Sequence, residues 1–259
     1  RSSWTSLPML HGEGRRPLPN INTFTYNGTA SNTYGLFVTG KGTYDAAEFD
    51  VTRYEIPGRN GDLIIPNNRY RNITITYPVF IPKAFKTQVQ GIRDWLRSAK
   101  NYVKLSDTYD TTHFRLAMAT GIQTFEPVNQ NDAANFEITF DCKPQRFLND
   151  GDTEVSVTSG NVKSNGTQYD ALPLFTFSNP TSSSAYLQVA NTKGTYKLSA
   201  TGSFTGSITV DCETENIYSG SNNKNSLFTG NFPILAPGNN TITFSGISNV
   251  KIKTRLWEL

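Results

Sequence analysis

Cys142 and Cys212 are the strongest nucleophiles in this sequence, and His11 and His113 are its candidate bases. The cysteines lie far apart, each at the end of an alternating, strand-like run, so no disulfide framework is indicated. Neither has a second Cys or a His at metal-ligand spacing, and both read as buried reduced thiols. The histidines are isolated from one another. His113, on an alternating strand, is the one candidate base within the folded part of the chain. The carboxylate pairs Asp107 with Asp110, Asp211 with Glu213 and Glu213 with Glu215 fall in turns or at strand ends. Glycosidase pairs come from separated segments, so spacing alone does not exclude one. No GxSxG elbow, HExxH helix, Walker loop or GxGxxG is present. The expectation is a protein with no catalytic residue, no metal and no cofactor, and hence no enzyme. The Asn-x-Ser/Thr triplets at Asn27, Asn72, Asn165 and Asn239 read as chance in a chain rich in Asn and Thr.

The partners excluded by charge and hydropathy narrow the class further. Net charge is +3, and Arg1, Arg15 and Arg16 against Glu13 place most of that surplus in the first 21 residues. From Asn22 onward the chain has no basic stripe able to displace counterions from phosphates, so no nucleic-acid footprint is expected. No apolar run approaches the roughly 18 residues of a membrane span. Residues 1–21 mix Ser, Pro, Gly and Arg without periodicity and read as a disordered arm or an expression remnant rather than a signal peptide.

The elements that would position any site are mostly strands. At 259 residues, two domains are expected, because domains cluster at roughly 100 to 150 residues. The 16 Phe and 12 Tyr supply large apolar side chains for two β cores. Strands are predicted from Asn22 to Tyr26, with a turn at Asn27-Gly28, and from Tyr34 to Thr39. Glu48 to Tyr54 alternates and stops at Pro57-Gly58-Arg59-Asn60-Gly61-Asp62, where one Pro and two Gly permit a tight reversal. Arg69 to Phe80 alternates through Ile73, Ile75, Tyr77 and Val79 and is expected to answer it, closing a long hairpin. One helix is predicted over Lys83 to Ala99, with Phe85, Val89, Ile92, Trp95 and Leu96 on one face. Strand patterns resume at Val103 to Leu105, Phe114 to Ala119 and Phe136 to Cys142. Residues 149–168, rich in Gly, Asp, Ser and Thr, read as a linker. Beyond Tyr169, strands are predicted at Leu172 to Phe177, Ala185 to Val189, Thr195 to Ser199, Ser207 to Asp211, Thr241 to Phe244 and Val250 to Trp257, with Ser219 to Asn225 a polar loop. This spacing suggests a sandwich.

The stretch Tyr54-Glu55-Ile56-Pro57-Gly58-Arg59-Asn60-Gly61-Asp62-Leu63 resembles the signature of distal tail proteins from long, non-contractile-tailed bacteriophages. Phe24-Thr25-Tyr26-Asn27-Gly28 followed by Tyr34-Gly35-Leu36 is similar to that family's start. The resemblance continues through Phe140-Asp141-Cys142-Lys143-Pro144-Gln145-Arg146-Phe147-Leu148, Ile208-Thr209-Val210-Asp211-Cys212-Glu213, Phe232-Pro233-Ile234-Leu235-Ala236-Pro237-Gly238-Asn239-Asn240 and the terminal Arg255-Leu256-Trp257-Glu258-Leu259. It spans residues 22–259.

The resemblance implies a mainly β fold: an N-terminal β-sandwich over 22–148, with one helix and a projecting β-hairpin arm, then a galectin-like β-sandwich over 169–259. It also implies a structural subunit of a homohexameric ring at the virion tail tip, assembled in the host cytoplasm. That ring would join the major tail tube protein to a tail-associated fibre, tail lysin or baseplate protein of the host-adsorption apparatus. The arm would link neighbouring subunits, which makes Pro57, Gly58, Arg59, Asn60, Gly61 and Asp62 the candidate subunit-contact residues. A carbohydrate-binding adhesin recognising cell-wall glycans is the alternative, with Tyr169, Tyr186, Tyr196, Tyr218 and Trp257 as candidate platforms. Each of these rings can equally fill the inner face of a strand, so a glycan partner is not favoured.

Overall fold

A computed structural model describes residues 21–40, 45–122, 126–128, 132–180 and 184–259. Residues 1–20 of the expected N-terminal arm, His11 among them, lie outside these. The fold is mainly β with one α-helix among the described residues.

The first sheet follows from apolar alternation. Ile73–Ile81 buries every second side chain, and Ala133–Leu148 does the same over its first half. These two strands pair antiparallel from Cys142↔Ile73 to Ala134↔Ile81. His113–Ile122 lies on the other side of the long strand, and Val103–Asp107 and Phe24–Tyr26 extend the sheet outward. Asn27 and Gly28 take left-handed conformations (φ 50° and 77°), which lets Phe24–Tyr26 reverse into Thr29–Ala30 within two residues.

The helix Phe85–Arg97 covers one face of this sheet. The predicted stripe is the buried one: Phe85, Ile92, Trp95 and Leu96 are buried, and Val89 packs against the same cluster. The Trp95 ring stacks on Phe24 at 5.6 Å and on Tyr34 at 5.1 Å, and its Nε1 donates to the Tyr26 carbonyl at 3.1 Å. Trp95 is therefore the pin that fixes the helix on the sheet. Phe140, which is fully buried, meets Tyr26, Phe24 and Tyr77 on the inner face.

The second core lies between two further sheets. One runs, in spatial order, Val155–Ser156, Ser248–Lys253, Leu174–Ser178, Ser207–Asp211, Asn216–Ser219 and Asn222–Asn223. The other runs Asn161–Asn165, Gly238–Ser245, Tyr186–Asn191, Gly194–Ala200 and Phe228–Gly230. Phe175, Ile208, Val210 and Ile252 from the first sheet meet Leu187, Val189, Leu198 and Ile242 from the second. Phe177 meets Phe228 edge-on across the gap at 5.8 Å, so the two sheets form a sandwich.

Three expectations need correction. Phe49–Tyr54 pairs not with Arg69 to Phe80 but with Leu63–Tyr70, as an isolated two-stranded ribbon. Ile73–Ile81 belongs instead to the first sheet. Leu63–Tyr70 contains Pro66, Asn67 and Asn68 and faces solvent on both sides, so it carries no alternation to mark it as a strand. The stretch 149–168 contains two paired strands, Val155–Ser156 and Asn161–Asn165, and places Val157 in the second core. Its polar residues are held by side-chain bonds: Asn165 is buried, donating through Nδ2 to the Tyr169 and Leu235 carbonyls and accepting from Thr167. The stretch Ser219 to Asn225 likewise carries Asn222–Asn223, paired with Tyr218 and Ser219.

Both cysteines are free and buried. Burial pushes the Cys142 thiol up to about 12 and raises Cys212 as well. Since the thiolate is the reactive form, neither should react with iodoacetamide at neutral pH in the folded protein, and both should react once urea unfolds it. Rapid labelling of the native chain, read by mass spectrometry, would contradict this burial.

Candidate assembly surface

The ribbon made by Phe49–Tyr54 and Leu63–Tyr70 carries all six of the predicted contact residues at its tip. Gly58 and Gly61 sit at φ 80° and 82°, conformations that side chains with a Cβ resist, and Arg59 N–H closes the turn on the Ile56 carbonyl at 3.1 Å. Pro57, Gly58, Arg59, Asn60, Gly61 and Asp62 are all exposed, as is every residue from Arg53 to Arg69. The tip is thus a solvent-facing turn, and no contact among the described residues gathers these six into a pocket.

The more informative residues lie just behind the tip. Leu63, Ile64 and Ile65 are 41%, 51% and 45% exposed, and Tyr54 and Ile56 are also open. In a ribbon, neighbouring residues point to opposite faces. Tyr54 opposite Leu63 and Thr52 opposite Ile65 make one face, while Arg53 opposite Ile64 and Val51 opposite Pro66 make the other. Both faces are partly apolar and neither is covered. An isolated two-stranded ribbon is marginally stable in water, and clustered exposed apolar side chains mark contact surfaces. Reasoning from turn chemistry alone passes over Leu63 to Ile65, although an unbroken Leu-Ile-Ile run beside a Gly-rich turn was the available signal.

The base of the ribbon is clamped. Asp50 is only 4% exposed and accepts from Arg69 Nε at 2.7 Å and from Arg71 Nε and Nη2 at 2.9 and 2.8 Å. The Arg71 and then the Arg69 hydrogen bond hold its carboxyl below the ordinary 3.8. Thr52 and Asn67 bond across the strands. A file of rings then leads away from the base: Phe49 meets Tyr70 at 5.2 Å, Tyr70 meets Tyr169 edge-on at 6.3 Å, and Tyr169 stacks on Trp257 at 4.3 Å. Trp257 Nε1 donates to the Asp170 carbonyl. Two of the candidate sugar platforms therefore cover each other. A third, Tyr186, lies under the Lys197 ammonium at 4.4 Å.

The two cores are joined at the same end of the molecule. Trp257–Glu258 pairs with Phe147 and Arg146 of the long strand, and Lys143 Nζ reaches Glu213 at 2.9 Å. His113, the sole described histidine, sits at this junction with Nδ1 3.0 Å from Asp110 and Nε2 3.7 Å from Glu258, while Arg146 Nη2 lies 3.1 Å from Asp110. Burial alone would raise the Asp110 carboxyl, but bonds from His113 and Thr112 outweigh it and bring it down to about 2. Among the described residues no group of three or more His, Cys, Asp or Glu is placed to hold a metal.

A depressed carboxyl stabilises the fold above its unfolded pKa, and that stabilisation is lost as pH falls through the folded one. The stability difference between the natural chain and Asp110→Asn should therefore be full about one unit above the unfolded value of 3.8, shrink as pH falls from there, and vanish only below about pH 2. Its size should be about 1–2 kcal/mol after allowance for partial exposure. Urea titrations at stepped pH measure it, and a difference that does not shrink between about pH 5 and pH 2 would contradict the assignment.

Residues 165–255 match the family model described as siphovirus-type tail component, C-terminal domain. The fold agrees over most of the chain: the Dit (gp 19.1) protein of phage SPP1, described as a paradigm of hub adsorption apparatus in Gram-positive infecting phages, aligns with a TM-score of 0.66 at 15% identity, covering 90% of this chain and 97% of that one. A chain of the phage p2 baseplate in its activated conformation with Sr aligns at 0.56 and 10% identity, covering 90% and 96%. One from the same baseplate with Ca aligns at 0.56 and 11%, covering 90% and 97%. No curated protein matches the sequence. The resemblance to siphophage distal tail proteins read from the motifs is borne out, by the family model over residues 165–255 and by the fold over most of the chain.

Proposed function

We propose that the chain is a non-enzymatic structural subunit of the tail tip, closing with copies of itself into a hexameric ring. The ring joins the tail tube to the baseplate or tail-associated proteins that meet the host. The observation that carries this reading is the uncovered ribbon, with Leu63, Ile64 and Ile65 held in solvent by a base clamped at Asp50. A ribbon that docks on the body of a neighbour, rather than on that neighbour's own ribbon, makes a heterologous contact, and heterologous contacts of suitable rotation close into rings. The similarity in fold to a hub protein and to baseplate chains supports the same placement.

Light scattering of the purified chain tests it. The expected mass is six times 28.7 kDa, with a ring visible by negative-stain electron microscopy. A mass of 28.7 kDa at every concentration, unchanged by added tail tube protein, would overturn the ring. Release of soluble sugar or peptide from host cell walls would overturn the non-enzymatic part.

A further inference from the structure

Three Asn-Gly pairs occur in the chain: Asn27-Gly28, Asn60-Gly61 and Asn165-Gly166. Such pairs are open to one spontaneous reaction. The main-chain nitrogen after the asparagine attacks the side-chain carbonyl carbon, a C–N bond forms, the amide leaves as ammonia, and a five-membered succinimide remains. Water then opens either carbonyl of that ring, giving aspartate or isoaspartate. Glycine favours the attack because no Cβ crowds the nitrogen. The geometry otherwise decides: the side chain and the following N–H must be unbonded, and the backbone must be free to bring them together.

We infer that Asn60 is a site of spontaneous succinimide formation, converting to aspartate or isoaspartate while Asn27 and Asn165 remain amides. Asn60 is exposed in the turn outside the last strand pair, Tyr54↔Leu63, and among the described residues no hydrogen bond holds its side chain or the Gly61 N–H. A Cβ placed on Gly61 would meet nothing within 4 Å, so no neighbour crowds the approach to its nitrogen. Asn165 is the opposite case: it is buried and its amide is bonded at both ends to Tyr169, Leu235 and Thr167. Asn27 is exposed but locked in a two-residue turn between paired strands. Its N–H is bonded to the Lys104 carbonyl at 3.1 Å and its amide is 3.4 Å from Ser98 Oγ.

Conversion places a negative charge two residues from Asp62 and, as isoaspartate, adds a methylene to the main chain of the turn. If the ribbon is the contact between subunits, a consequence that rests on the function proposed above, converted chains assemble several-fold more weakly than fresh ones.

The test is peptide mapping of the full chain held in warm, mildly alkaline buffer, with isoaspartyl methyltransferase labelling, beside the same chain in urea. The expected result is conversion at Asn60 first in the folded protein and at all three sites in urea. Asn60→Gln should abolish the labelling at this position. Gly61→Ala should slow it about tenfold, or about 1.4 kcal/mol on the barrier. Equal or faster conversion at Asn27 or Asn165 in the folded chain would overturn the inference, as would an Asn60 that stays intact while the urea sample converts. Light scattering on the same samples separates the two readings: a chain that never forms rings leaves the chemical result standing.

Discussion

Replacing Leu63, Ile64 and Ile65 together by aspartate should leave a folded chain that runs at the mass of one subunit under conditions where the natural chain forms rings. On the free subunit these side chains face water on both faces of the ribbon, so the fold loses little when they become polar. In the ring they would be the buried apolar anchors. Truncated anchors of this kind cost about 2 kcal/mol or more each, which is roughly thirtyfold in an association constant per residue. Light scattering measures the assembly state, and circular dichroism shows that the sheets persist. Rings that survive the triple substitution would mean that the contact lies elsewhere on the molecule.

Phe140→Ala should unfold the N-terminal sheet at much lower denaturant, losing about 3–5 kcal/mol, the range seen when a buried aromatic ring is removed. Phe140 is fully buried, with ring centroids 5.0 Å from Tyr26, 5.6 Å from Phe24 and 6.0 Å from Tyr77. The last carries its hydroxyl bonded to Asp107, so the cavity left behind cannot collapse without disturbing a partly buried polar contact. A urea midpoint displaced with unchanged slope is the expected signature. A loss below about 1 kcal/mol would show that the site repacks.

How much of this could be read beforehand depended on whether a residue's surroundings are local. The helix stripe from Phe85 to Leu96 was legible because a buried face leaves a 3.6-residue period in the sequence. The strands at Ile73–Ile81 and Ser207–Asp211 were legible for the same reason at period two. Leu63–Tyr70 was not, because a ribbon wet on both faces imposes no period at all, and the first half of the hairpin was therefore matched to the wrong partner. The tip residues Pro57 to Asp62 announced a turn through their own chemistry. The Asp50 clamp and the contact of Tyr70 with Tyr169 depend on neighbours distant in sequence, and no local pattern carries them.

The file of rings from Phe49 to Trp257 gives the chain an internal optical gauge. Tyr70 and Tyr169 stand in line with the indole of Trp257, close enough for excitation absorbed by the phenols to emerge as tryptophan emission. A swing of the ribbon away from the sandwich would remove the contribution of Tyr70 and leave that of Tyr169. The Trp257 share of that emission, read against the steady share from Tyr34 beside Trp95, would thus report the posture of the arm without a label.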